Sequence, residues 1–174
     1  GNISILSEEV SSQFPDGIFF SLTLESSNPI DDIRVFYGYQ NSTISYGYLE
    51  FEPAQQTRAH YLLNTDGSSG SFIPPGATLR YSFEVRDKGG NILRTAEKEF
   101  VYLDSRFEWE VIEEEPITVY YYGPTEKRAQ TILQASLQAV TLMSKVLGVD
   151  HVEPINIVAY NNYRHMASAL PPRS

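Results

Sequence analysis

The chain contains no cysteine, so neither a disulfide framework nor a thiolate metal site or nucleophile can be built from it. Its redox compartment is left open by that absence. Basic charge is scarce: 13 Lys and Arg stand against 22 Asp and Glu, giving a formal net charge of −9 and a pI near 4.8. Nucleic-acid affinity comes largely from clustered Lys and Arg, so the charge argues against a phosphate-backbone partner, and an anionic membrane surface is disfavoured too. No window approaches the ~20 apolar residues of a membrane span, so no span is expected. Residues 1–20 lack a basic n-region and an apolar h-region, which implies that any targeting segment has been removed or lies outside the sequence. Gly1 reads as a cloning or cleavage remnant.

Signatures of chemistry are missing too. His60, His151 and His165 include no pair at the HExxH spacing of a helical zinc site. Gly123 stands alone at a strand-to-helix turn and belongs to neither GxGxxG nor GxxxxGK[ST]. No GxSxG nucleophile elbow exists, and Gly67-Ser68-Ser69-Gly70 reads as a flexible loop. No catalytic, cofactor-binding or metal-binding residue is therefore assigned.

What is present describes a soluble folded chain, with 41% apolar and 20% charged residues. Its 174 residues suit two small domains. The expected fold class is β plus α/β: an immunoglobulin-like antiparallel β-sandwich over 1–104, an acidic linker over 105–116, and a truncated β-α-β unit over 117–174. From Ile3 to Leu103 the apolar pattern has period two and about seven strands, as in GIFFSLTLE and TLRYSFEV. Asn64–Gly70 and Ile73–Gly76 carry the glycines and prolines of connecting loops, and Asp87–Asn91 reads as a turn before a strand with Phe100 and Tyr102.

A hairpin is expected around Asn41-Ser42. With those two residues as the loop, Tyr39 faces Ile44, Tyr37 faces Tyr46 and Val35 faces Tyr48, a register that favours tyrosines as core. The alternative is a tyrosine platform that stacks on sugar rings. Asn41-Ser42-Thr43 also matches a glycosylation sequon, with a tight turn as the plainer explanation. Glu113-Glu114-Glu115-Pro116 reads as a solvated charge run at a domain boundary; paired carboxylates for glycoside cleavage are the competing reading.

Beyond it, Ile117, Val119 and Tyr121 alternate as a strand, and Pro124 sits where a helix can start. Ala129, Ile132, Leu133, Leu137, Val140, Met143 and Leu147 form one helical face, stopped by Gly148. A second strand carries Ile155, Ile157, Val158 and Tyr160, which predicts a parallel crossover. A last helix is expected over 162–170, ended by Pro171-Pro172.

Several motifs carry a family resemblance: Ile73-Pro74-Pro75-Gly76 followed by Leu79–Val85, then Asp87, Gly89-Gly90 and Thr95; Asp104–Trp109; the Val119–Tyr122 strand; the helix ending at Leu147-Gly148; and Ile155–Asn161. With these the chain resembles the N-terminal part of bacterial exported proteins whose catalytic half is a peptidase MA-like, gluzincin-type zinc metallopeptidase. The resemblance implies an extracytoplasmic location, zinc in the full-length parent, and a catalytic HExxH helix downstream of the second strand. Within residues 1–174 it implies an inactive accessory scaffold whose partner is the missing catalytic core of the same chain, with no catalytic residue carried over. The alternative is an extracellular immunoglobulin-like binding module for carbohydrate or protein, motivated by 13% aromatic residues and the tyrosine-rich hairpin. A homo-oligomer through the exposed α/β unit is also expected, because ~60 residues bury only a modest fraction of their surface.

Overall fold

The computed structural model describes residues 2–69 and 72–171. Gly1, the Gly70 end of the expected loop, and the Pro172 stop signal lie outside the described residues. The chain divides into two compact units, Gly1–Asp104 and Ser105–Ser174.

The first unit is a two-sheet antiparallel β-sandwich. Strands β1 (Ile3–Gln13), β2 (Gly17–Ser26) and β5 (Gln56–Asn64) form one sheet in the order β1-β2-β5. The second sheet runs β4-β3-β6-β7, from β3 (Ile30–Tyr39), β4 (Ser45–Tyr48), β6 (Thr78–Asp87) and β7 (Ile92–Arg94), with β8 (Lys98–Val101) also pairing β6. That makes eight strands among the described residues where the sequence suggested about seven, because the β6-facing return is split by Thr95, whose hydroxyl accepts the Phe83 N–H at 2.8 Å.

Alternation sets the core. Ile18, Phe20, Leu22 and Leu24 of β2 are fully buried and meet Ile33 and Val35 of β3 and Leu79, Phe83 and Val85 of β6. Phe20 meets Tyr81 and Phe83 edge-on at centroid distances of 5.5 and 6.0 Å. Burying a side chain of this size contributes about 2–3 kcal/mol. Asp87 closes the β6–β7 turn: its carboxylate accepts Ser26 Oγ at 2.6 Å, Asn91 Nδ2 at 2.8 Å, and the Gly89 and Asn91 N–H groups at 2.9 Å each. These donors hold its carboxyl down at about 2, Ser26 being the largest cause.

The hairpin differs from its expected register. Phe36, not Tyr37, stands opposite Tyr46, and Arg34, not Val35, stands opposite Tyr48. The Asn41-Ser42 pair lacks the glycine that a two-residue primed turn favours. A wider loop forms instead, with Gln40 at φ 51°, Ser42 N–H donating to the Tyr39 carbonyl, and Ser42 Oγ accepting the Tyr39 N–H. A one-residue slip turns every side chain of β4 to the other face. Gly47 therefore points inward, where a Cβ would come within 2.4 Å of the Tyr61 ring, and Tyr46 and Tyr48 point outward.

In the second unit, the stretch expected as an acidic linker over 105–116 contains a strand. β9 (Glu110–Glu114) pairs antiparallel with β10 (Ile117–Tyr121), and Ile112 packs against the core. Its glutamates are solvated, as a charge run should be, but Val111 and Ile112 between them give a ladder partner. β10 pairs in parallel with β11 (Ile155–Val158), and α1 (Glu126–Leu147) connects them. Ile117, Val119, Tyr121, Ala129 and Leu133 make the small core. Met143 and Leu147, expected on the buried face, are 60% and 67% exposed, because only the N-terminal half of α1 covers the short strands. Gly148 ends the helix in the left-handed region at φ 65° and donates its N–H to the Ser144 carbonyl. The final helix is shorter than expected, α2 (Tyr163–Ala167), because Ser168 and Ala169 already close tight turns.

Candidate functional site

The outer face of the β4-β3-β6-β7 sheet carries aromatic and charged side chains in ordered rows. Cross-strand pairing places Tyr48, Arg34, Glu84 and Arg94 in one row. Asp32, Arg86 and Ile92 form the row on one side; Tyr46, Phe36 and Ser82 form the row on the other. Gly38, Arg80 and Glu99 follow.

Arg34 is the centre of this surface. Its Nε donates to Asp32 Oδ2 at 3.1 Å, and its guanidinium lies 5.2 Å from the Tyr48 ring centroid and 5.6 Å from that of Tyr46. Asp32 holds the Arg34 pKa above its ordinary value. The terminal amino groups of Arg34 have no hydrogen-bond partner among the described residues. Tyr46 and Tyr48 meet edge-to-face at 5.7 Å and 86°, and Phe36 leans on Tyr46 at 5.9 Å. The two tyrosines are 53% and 54% exposed, so they are displayed rather than packed. Their perpendicular rings do not make a flat platform; they make a corner, with a guanidinium at its side.

Glu84 next to it is spoken for. Arg94 Nε donates to its Oε2 at 2.8 Å and Arg86 Nε to its Oε1 at 3.0 Å, and the Arg94 bond is the main cause that lowers its pKa. The remaining tyrosines of the hairpin belong inside. Tyr37 packs against the core, and burial together with Tyr61 pushes its phenol up to about 12.

The second unit gathers aromatics at the carboxyl ends of β10 and β11, but closes them on each other. Phe107 stacks on Tyr122 at 4.2 Å and 16°, while Trp109 meets Tyr122 and Tyr160 edge-on. The buried Tyr122 hydroxyl lies 2.6 Å from His165 Nδ1 and accepts the Asn161 N–H at 2.9 Å. Arg106 donates to Ser168 Oγ at 2.7 Å and to the His165 carbonyl at 3.1 Å. These bonds tie α2 to the strand ends.

The histidines are dispersed. His60 stacks on Phe19 and stands 3.4 Å from Glu50, and His151 stands 3.8 Å from Glu153. Among the described residues no group of three or more His, Cys, Asp or Glu is placed to hold a metal ion. Glu113 and Glu114 are neighbours on a strand and project to opposite faces, which separates them as an acid–base pair. No helix among the described residues is long and apolar enough to cross a membrane. The sequence pointed to the tyrosines; it did not single out Arg34, although the alternation Asp32, Arg34, Phe36 along β3 was the available signal.

No protein-family model and no curated protein matches the chain. Among solved structures, it is similar to a bromine derivative of BhCBM56, at 12% identity over 54% of this chain and 88% of that one, with a TM-score of 0.35. A carbohydrate-binding module family 56 β-1,3-glucan binding domain matches at 14% identity over 57% of this chain and 99% of that one, with a TM-score of 0.32. The third is a catalytically inactive OgpA from Akkermansia muciniphila in complex with an O-glycopeptide substrate, at 11% identity and a TM-score of 0.44. The match covers 59% of this chain and 30% of that one.

Proposed function

We propose that Gly1–Asp104 is an immunoglobulin-like binding module for carbohydrate or protein, working outside the cytoplasm through the Arg34–Tyr46–Tyr48 face. The sheet orders β1-β2-β5 and β4-β3-β6-β7 support the immunoglobulin-like reading. The observation that carries the function is the outward turn of β4, which leaves two tyrosines more than half exposed beside an arginine with free donors. Single exposed apolar residues need no explanation, but a contacting group of Phe36, Tyr46 and Tyr48 on a sheet face does. Tyrosine and arginine are also the residue types that dominate binding energy where surfaces meet.

Glycan-array binding and titration test this. Tyr48→Ala should weaken binding at least tenfold, about 1.4 kcal/mol, with the melting temperature unchanged because the ring is half in solvent. Retained affinity in that variant would remove the face from the binding site.

A second reading keeps the scaffold role in an extracytoplasmic zinc metallopeptidase. It draws on the parallel β10–β11 pair joined by α1 and on Leu142, Met143, Val146 and Leu147, which are 60–76% exposed and suit a covering core. Zinc uptake and peptide hydrolysis by a longer chain would support it; a longer chain that neither takes up zinc nor cleaves peptide would refute it.

A further inference from the structure

The binding-face reading leaves the ligand class open, and Arg34 narrows it. We propose that the Arg34–Tyr46–Tyr48 corner recognises a sugar bearing a carboxylate, with the ring of the sugar against a tyrosine and the carboxylate on the Arg34 fork; this rests on the binding-face reading above. Three observations lead there.

First, Arg34 is held on two sides before any ligand arrives. Asp32 takes its Nε, and the rings of Tyr46 and Tyr48 lie against its guanidinium at 5.6 and 5.2 Å. The terminal amino groups are left for a planar acceptor, and a carboxylate matches that fork with two parallel bonds. A guanidinium fixed in this way loses little freedom on binding.

Second, the face is arginine-rich in an acidic chain. Arg34, Arg80, Arg86 and Arg94 all project from it, out of 13 Lys and Arg in a molecule of net charge −9. Asp32 and Glu84 are each already paired, the latter twice, and with Glu99 they set three carboxylates against four arginines, leaving the face net positive. Charge complementarity therefore favours an anionic ligand.

Third, the Arg34 guanidinium lies directly beside both aromatic rings, 5.2 Å from the Tyr48 centroid and 5.6 Å from that of Tyr46. In an acidic sugar the carboxylate is bonded directly to the ring, so a ring stacked on tyrosine presents its carboxylate at the adjacent arginine without a flexible arm. An acidic peptide side chain carries its carboxylate on a rotatable arm and offers no second rigid face.

Calorimetric titration of the full chain with oligogalacturonate and with its methyl ester, and with sialyllactose and lactose, tests the assignment. The expected result is at least tenfold tighter binding of an acid than of its neutral counterpart. That preference should fall at least tenfold in Arg34→Lys, which keeps the charge and loses the fork, and should survive in Arg58→Gln, an arginine change on the opposite sheet. Equal binding of acid and neutral sugars, both lost in Tyr48→Ala, would overturn the carboxylate assignment and leave the binding face standing. Binding of a glutamate-rich peptide but of no sugar would overturn the sugar class. No binding of any probe, or binding indifferent to Tyr48→Ala, would overturn both.

Discussion

Asp87 shows how one side chain can hold a turn through charge. Its carboxylate takes four donors, and its pKa lies near 2 instead of 3.8. A depressed carboxylate stabilises the fold above its unfolded pKa, and that contribution is lost as pH falls from about 3.8 through about 2. Asp87→Asn should therefore melt below the parent at pH 7, with the gap closing towards pH 2; thermal melts across that range check it, and a pH-independent gap would refute the linkage. Gly47 holds another single-residue constraint. An added Cβ would meet the Tyr61 ring at 2.4–2.7 Å, so Gly47→Ala should cost about 1–3 kcal/mol in denaturant titration, whereas alanine at the exposed Tyr46 should stay within about 0.5 kcal/mol.

At the scale of elements, α1 is two half-helices with different duties. Leu133 is 4% exposed against β10 and Val146 is 76% exposed. Leu133→Ala should lower the stability of the second unit by about 2–3 kcal/mol, while Val146→Ala should change it by less than about 0.5 kcal/mol, read by hydrogen exchange in β10. The helix itself was legible from its 3.6 spacing and its Gly148 stop. Which of its apolar residues are covered was not, because that depends on strands only four and five residues long. β9 was hidden for a different reason: composition spoke for solvated charge, and the pairing of Glu110–Glu114 comes from β10, not from its own pattern. The core positions of β2 and β6 were readable residue by residue from alternation. Arg34 was not, since its neighbours Tyr46 and Tyr48 join it only once the register of β4 is known.

The whole molecule is two compact units, each with its own apolar core. Residues 1–104 produced alone should keep the sandwich, seen as superposable backbone amide shifts in β2, β3, β5 and β6; collapse of those shifts would show that the first unit borrows stability from the second. What this molecule presents to its surroundings hangs on the length of one loop. Removing a single residue between Tyr37 and Ser45, with the loop geometry kept, would put Tyr46 opposite Tyr37 and Tyr48 opposite Val35. The same tyrosines would then turn inward without any of them being replaced. A deletion in this loop is thus a more drastic lesion than a substitution within the patch, and an insertion in a related sandwich could expose a tyrosine face in one step of descent.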